Sequence, residues 1–117
     1  YGDGNQLMSL ISVEDCAGQL VHLMDHGAPN QSVNLFGFEP IKQKDFAAMV
    51  AQCLDANTVY IKASDTEKKY GKTVFEALTS STPVTTKHLD WRASYVPVYQ
   101  DLRVLIEATV RRLQANH

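Results

Sequence analysis

Apolar residues recur at helical spacing near the start of the chain. They are separated by three or four residues, as on one face of a helix, and comprise Val13, Cys16, Ala17, Leu20, Val21 and Met24. Ser12 stands directly before this run as a candidate N-cap, with Asp15 three residues later as its acidic partner. Gly27 and Pro29 follow the run and disfavour its continuation. The pattern predicts an amphipathic helix that begins after Ser12 and ends before Gly27.

Three strands and three further helices are predicted along the chain. Residues 6–11, 32–38 and 58–63 carry aliphatic, β-branched or aromatic side chains and are expected to be strands. Helices are expected after Pro40 to about Asn57, over 64–78 with Gly71 as a weak point, and from about Pro97 to Leu113. Residues 79–86 are rich in Ser, Thr and Pro and are expected to form a loop or a short edge strand. The alternation predicts an α/β fold of about three short strands and four helices. Three strands make a thin sheet for four helices, so we expect residues outside this chain to complete the sheet.

The composition indicates one domain and argues against several classes of partner. A chain of 117 residues is long enough for one domain, so residues 1–117 are expected to be a single unit. A formal net charge of -2 gives no reason to expect nucleic acid or an anionic membrane as a partner, and no apolar run is long enough to span a bilayer. Cys16 and Cys53 do not form a redox or metal motif, which favours a reduced, cytoplasmic protein. Because the chain opens on Tyr1, we expect it to be cut from a longer protein.

The sequence holds no complete catalytic, cofactor-binding or metal-binding motif. Gly2 and Gly4 lack the third glycine of a dinucleotide-binding loop and are expected to form a turn. None of the five tyrosines is followed four residues later by lysine, the acid–base pair of many reductases and epimerases. His22 and His26 stand four residues apart, as in a chelating pair, but no third ligand lies at a telling spacing. We therefore expect no catalytic residue, no cofactor site and no metal site in this chain.

Four segments resemble, in the right order, the C-terminal part of extended short-chain dehydrogenase/reductase proteins. Residues 9–17 (SLISVEDCA) are similar to a strand, a V-x-D-h-A motif and an amphipathic helix, preceded as in the family by a G-x-G turn. Residues 32–37 (SVNLFG) are similar to the strand that follows, and 46–51 (FAAMVA) to the next helix. Residues 89–92 (LDWR) resemble the L-G-W-x-P signature that precedes a terminal helix. The resemblance covers almost the whole chain.

This resemblance implies a fragment of a Rossmann-type protein that lacks the N-terminal dinucleotide-binding core. It implies that the full-length protein binds NAD or NADP upstream, and that this chain is the substrate-binding part of an NAD(P)-dependent epimerase, dehydratase or reductase. The expected partners are the missing Rossmann portion and a sugar-like or small hydroxy/carbonyl substrate. We also expect the isolated chain to expose an apolar docking surface and to self-associate as a homo-oligomer.

Met8, Ser12, Trp91 and Arg92 are the candidate substrate-binding residues of this alignment. Met8 stands where nucleotide-sugar epimerases usually have the arginine that binds the diphosphate, and Ser12 stands where they have histidine. A thioether cannot hold a diphosphate, so such sugars are disfavoured unless Arg92 compensates. Trp91, the only tryptophan, is predicted to be buried and to hold the loop before the last helix. Asp15 is interpreted as a helix-cap carboxylate rather than a catalyst.

Two other classes of function remain open. The chain could belong to a non-catalytic family member that kept the fold for binding or regulation, or it could be a stand-alone small α/β interaction domain. A glycine-rich loop and a Tyr-x-x-x-Lys pair in the preceding coding sequence would indicate the enzyme. The same fold without these motifs would indicate the binding protein, and a stop codon directly upstream would indicate the stand-alone domain.

Overall fold

Six helices and a two-stranded sheet form the part of the chain that the computed structural model describes, residues 1–86 and 90–116. The strands β1 (Leu7–Met8) and β2 (Ile41–Lys42) pair antiparallel. The helices are α1 (Val13–His26), α2 (Gln43–Leu54), α3 (Ala63–Tyr70), α4 (Lys72–Thr79), α5 (Asp90–Ala93) and α6 (Leu102–Ala115). Leu89 of the LDWR segment lies outside the described residues. None of these helices is both long enough and apolar enough to cross a membrane. The chain is thus a small, mostly helical α/β domain.

The start and end of α1 follow the sequence signals. Ser12 has an extended backbone (φ -71, ψ 153), and its hydroxyl accepts a hydrogen bond from the backbone N–H of Asp15 at 2.9 Å. This is the geometry of an N-cap, so that prediction is confirmed. At the other end, the Gly27 N–H donates to the Leu23 carbonyl at 2.8 Å, and the helix stops there as expected.

Two of the three expected strands are wrong. Residues 32–38 form no ladder: the backbone N–H groups of Gly37 and Phe38 share one acceptor, the Leu10 carbonyl, at 3.2 and 3.3 Å. Residues 58–63 likewise form no ladder; the Ile61 carbonyl accepts a single backbone hydrogen bond, from Gly2 at 2.9 Å. A strand is stabilised by a neighbour along its length, and within 1–86 and 90–116 neither segment has one. Only 7–8 of the predicted strand 6–11 is paired, with β2.

The predicted helix over 64–78 is two helices separated by Gly71. Its φ of 82° lies in the left-handed region, which glycine tolerates because it has no Cβ. The Gly71 N–H donates to the Glu67 carbonyl and closes α3, whereas the Gly71 carbonyl accepts from the Phe75 N–H and opens α4. The structure therefore has more and shorter helices than the four that were expected.

The last helix begins at Leu102 rather than near Pro97. Asp101 is its N-cap, and the Asp101 side chain accepts from the Arg103 N–H at 2.7 Å. The segment before it is held away from helical geometry because the backbone N–H groups of Val98 and Tyr99 donate to a side chain of α1 instead. Helix α5, which precedes this segment, was not predicted.

The core is small and the shape is open. Helix α2 packs against α6, α1 against α5, and α3 against α4, yet Trp91, Leu102 and Ile106 are the buried apolar side chains of the described residues. The radius of gyration is 16.8 Å, against about 13 Å for a compact domain of this length. The accessible surface is 8161 Å², against about 6,300 Å² for a typical monomer of 13.0 kDa. The chain therefore exposes roughly 1,800 Å² more than a compact monomer would.

Helix α1 buries its polar side and exposes its apolar side. Asp15 and Gln19 are each 1% exposed, and half-buried His22 lies on the same side. Val13 and Met24, by contrast, are 82% and 84% exposed. The exposed stripe, called here the α1 apolar face, consists of Val13, Ala17, Leu20, Val21 and Met24. These side chains are exposed although a helix face of this composition is normally buried.

Candidate functional site

The fully buried carboxylate of Asp15 joins the start of α1 to the segment before α6. Its Oδ1 atom accepts from the Tyr95 hydroxyl and from the Val98 backbone N–H, both at 2.7 Å. Its Oδ2 atom accepts from the Ser12 hydroxyl at 2.8 Å and from the Tyr99 backbone N–H at 3.2 Å. A buried charge is tolerated when it is hydrogen-bonded, and here each oxygen has two donors. The arrangement fits a structural anchor between two segments, and its contacts with residues 95, 98 and 99 go beyond the helix-cap role that was predicted for Asp15.

Burial and hydrogen bonding shift the pKa values of both partners in the Asp15–Tyr95 contact. Burial raises the pKa of the Asp15 carboxyl, but its hydrogen bonds together outweigh burial and hold that pKa below its usual value. For Tyr95, burial first and then the hydrogen bond to Asp15 raise the pKa of the phenol to about 12. Near pH 7 Tyr95 is therefore protonated and donates its hydroxyl hydrogen to Asp15.

Gly18 lets Tyr95 approach α1 this closely. A Cβ at position 18 would lie 2.6 Å from the Tyr95 Oη atom, which is closer than side-chain carbons approach other atoms in proteins. Glycine costs stability within a helix, roughly 1 kcal/mol relative to alanine. The close packing of the Tyr95 phenol over α1, one turn from Asp15, is the structural reason for a glycine at this position.

Trp91 and Arg92 lie on α5, which packs against α1. Trp91 is 4% exposed, so its predicted burial is confirmed. Its carbonyl accepts from the His22 Nε2–H at 2.8 Å, whereas its own indole N–H finds no acceptor within residues 1–86 and 90–116. The guanidinium carbon Cζ of Arg92 lies over the Phe36 ring, 4.0 Å from the ring centroid. The guanidinium also donates a hydrogen bond to the Gly37 carbonyl at 3.3 Å. Arg92 is half-buried and keeps further N–H donors.

Met8 and Ser12 line two different open cavities, both bordered by α2. The first, called here the α2–α6 groove, has a volume of about 670 Å³ and includes Ser12; its apolar lining includes Leu10, Ile11, Phe46, Val50, Leu105 and Val110. The second, of about 500 Å³, lies between α2 and residues 56–61 and includes Met8. Trp91 and Arg92 line neither of the two. The four candidate substrate-binding residues are therefore not brought together in one cavity of the described structure, and the Ser12 hydroxyl is engaged with Asp15.

His22 and His26 do not form a chelating pair. Their rings are stacked, with centroids 4.0 Å apart and planes at 11°. The His22 Nε2 atom contacts the Trp91 carbonyl and the Ser94 hydroxyl, while the His26 Nδ1 atom contacts the His22 carbonyl at 3.1 Å. Across the part of the chain that the structure describes, no three His, Cys, Asp or Glu side chains are grouped so that they could hold a metal ion.

The two glycines near the start form a turn, as predicted. Gly2 and Gly4 have φ values of 61° and 71°, in the left-handed region that glycine favours. The Gly4 N–H donates to the Tyr1 carbonyl at 3.2 Å, and the Gly2 N–H donates to the Ile61 carbonyl at 2.9 Å. Both amides are engaged within the chain, whereas a phosphate-binding loop needs amides that converge on the anion.

Sequence reasoning missed Gln19, Tyr95 and Phe36, three partners in the packing of α1. The Gln19 Nε2 atom donates to the Phe36 carbonyl at 2.9 Å, and Tyr95 donates to Asp15. A signal for Gln19 was present in the sequence. Asp15, Gln19 and His22 are spaced four and three residues apart, so polar residues recur at helical period opposite the apolar stripe.

Searches of protein-family models, of curated proteins and of solved structures found no match to this chain. The resemblance to extended short-chain dehydrogenase/reductase proteins therefore depends on the sequence segments described above. The geometry by itself defines a small α/β domain with a buried polar anchor at Asp15 and an uncovered apolar face on α1.

Proposed function

We propose that this chain is the C-terminal, substrate-binding part of an NAD(P)-dependent epimerase, dehydratase or reductase that acts on a sugar-like or small hydroxy/carbonyl substrate. The proposal is supported by the order of four family-like segments: the G-x-G turn with SLISVEDCA, SVNLFG, FAAMVA and LDWR. In this arrangement NAD or NADP is bound by an upstream Rossmann portion. This chain contributes substrate contacts, with Met8, Ser12, Trp91 and Arg92 as the candidates.

The α1 apolar face is the observation on which the proposal chiefly depends. Five apolar or small residues, Val13 to Met24 along one side of α1, are exposed although their periodicity is that of a buried helix face. A standard protein–protein interface buries about 800 Å² per partner, and the excess surface of this chain, roughly 1,800 Å², is more than twice that. The excess surface of the whole chain and the apolar composition of the α1 apolar face together support a second folded unit in contact with this chain.

The proposal is tested by isolating the native polypeptide with an antibody raised against this chain. We expect a polypeptide longer than 117 residues that binds NADH or NADPH, measured by the rise in nicotinamide fluorescence. The isolated chain is expected to bind neither cofactor in the same titration. A native polypeptide of 117 residues, or a longer one that binds neither nucleotide, would contradict the proposal.

The α2–α6 groove favours a second candidate, a non-catalytic binding or interaction domain. Its volume of about 670 Å³ is within the range of ligand-binding clefts, and its lining is predominantly apolar. The only ion pair at its border, among described residues, joins Arg112 and Glu14 at 2.9 Å, so the border carries compensated charge. The antibody experiment separates the two candidates, because a domain of this second kind has no need of a nicotinamide cofactor.

A further inference from the structure

The polar side of α1 contacts two separate parts of the chain that meet at Arg92. Asp15 binds the segment after α5 through Tyr95, Val98 and Tyr99. Gln19, one turn further along α1, donates to the carbonyl of Phe36 at 2.9 Å. The Arg92 guanidinium carbon lies over the Phe36 ring, so Gln19 contacts one member of this pair directly, and the segment that Asp15 binds adjoins the other.

We infer that Asp15 is a positioning residue of the proposed substrate site, which fixes Trp91 and Arg92 by acting through Tyr95. The inference rests on the proposed function for the relevance of Arg92, but its physical content concerns this chain alone. Tyr95 is coupled directly to Arg92, because the Tyr95 backbone N–H donates to the Arg92 carbonyl at 3.1 Å. The Tyr95 hydroxyl in turn donates to Asp15, so α5 is tied to α1 two residues beyond the end of α5.

A carboxylate is the side chain that this junction requires. Four donors converge on Asp15, two on each oxygen, and a carboxylate offers acceptor lone pairs on both. An asparagine at position 15 would keep one acceptor oxygen and would direct an NH₂ group at the other pair of donors. The substitution Asp15→Asn therefore removes two hydrogen bonds while the size of the side chain is kept, and it leaves buried donors without partners.

The pairing of Arg92 with Phe36 gives the positioning a consequence for recognition. The Arg92 guanidinium is held by two contacts, because its carbon lies over the Phe36 ring and, among the described residues, it donates to the Gly37 carbonyl. These contacts restrict the directions in which its other N–H groups can point. Release of Tyr95 from Asp15 frees α5 and with it the position of the guanidinium, without any change in a proposed substrate-binding residue.

The test compares Asp15→Asn with Asp101→Asn in the 117-residue chain. Asp101 is the control, because it is an aspartate at the start of another helix whose side chain accepts, among the described residues, from the Arg103 N–H alone. Both variants are studied at a temperature where far-UV circular dichroism shows them folded. The first signal is the NMR resonance of the Arg92 Nε–Hε group, which is expected upfield because the group lies over the Phe36 ring. The second is acrylamide quenching of Trp91 fluorescence. We expect Asp15→Asn to move the resonance downfield and to increase quenching, and Asp101→Asn to change neither.

Unchanged signals in folded Asp15→Asn would overturn the inference, as would equal changes in Asp101→Asn, which would indicate general loosening. If Asp15→Asn does not fold, Tyr95→Phe decides, since it removes only the hydroxyl. We expect it to shift the Arg92 resonance in the same direction, and an unshifted resonance would contradict the positioning role. Both measurements are made without ligand or cofactor. A negative result would therefore refute the positioning role of Asp15 and leave the proposed function open. Absence of cofactor binding by the native protein would refute the proposed function and leave the positioning role open.

Discussion

Replacement of Trp91 by alanine is the most informative single test of the packing. Trp91 is 4% exposed and is one of three buried apolar side chains in the described structure, so its loss removes a large share of the core. Truncation of a buried aromatic residue costs about 3–5 kcal/mol. Small domains have only about 5–15 kcal/mol of stability, so Trp91→Ala is expected to lower the melting temperature by roughly 10 °C or more, or to abolish folding.

The assay is thermal and urea unfolding followed by circular dichroism, because the variant has no indole fluorescence. Trp91→Phe and Val59→Ala are the matched controls. Phenylalanine keeps most of the ring and removes an N–H that has no acceptor within the described residues, so Trp91→Phe should lie closer to the native chain than to Trp91→Ala. Val59 is 83% exposed, and its truncation should cost under about 0.5 kcal/mol. A Trp91→Ala variant as stable as Val59→Ala would refute the account of the core.

Three further predictions concern α1. The folded-state pKa of Asp15 is lowered, so Asp15 stabilises the fold at pH values above about 3.9, the pKa of an unfolded aspartate. This contribution is lost as pH falls through the folded-state pKa. The urea midpoint of the native chain should therefore fall more steeply on the acid side than that of Asp15→Asn. Gly18→Ala should destabilise by about 1–3 kcal/mol in the same urea assay, because the new Cβ would lie 2.6 Å from the Tyr95 hydroxyl. Met24→Lys should reduce self-association measured by light scattering, whereas Val59→Lys should leave it unchanged. Equal self-association of the two variants would contradict the role of the α1 apolar face in association.

Local signals predicted both ends of α1 because they act within a few residues. The Ser12 cap and the stop at Gly27 each depend on backbone geometry that the local sequence determines. At Gly71 the sequence predicted a weak point in one continuous helix, and the structure has a break between two helices. The strands at 32–38 and 58–63 were not predictable in the same way. Their side chains favour strands, but a strand forms only beside a partner, and the described residues supply a ladder for 7–8 and 41–42 alone.

The start of the last helix and the polar anchor were missed for a related reason. Pro97 is a good first residue for a helix, but the amides of Val98 and Tyr99 are used by Asp15, more than 80 positions earlier in the chain. No local pattern contains that contact. Burial of Trp91, in contrast, followed from its size alone, since a single large aromatic residue in a small domain has much to gain from being covered.

The central claim is that a second folded part of the same protein covers the α1 apolar face. Hydroxyl-radical footprinting tests it at Met24, which is 84% exposed in this chain, with half-buried Met49 on α2 as the internal reference. Methionine thioethers oxidise readily where they are accessible. The account predicts that Met24 oxidises faster than Met49 when the chain is isolated, at a concentration where light scattering shows monomer. It predicts that Met24 becomes the more protected of the two in the native-length polypeptide. Equal, rapid oxidation of Met24 in both would contradict the claim.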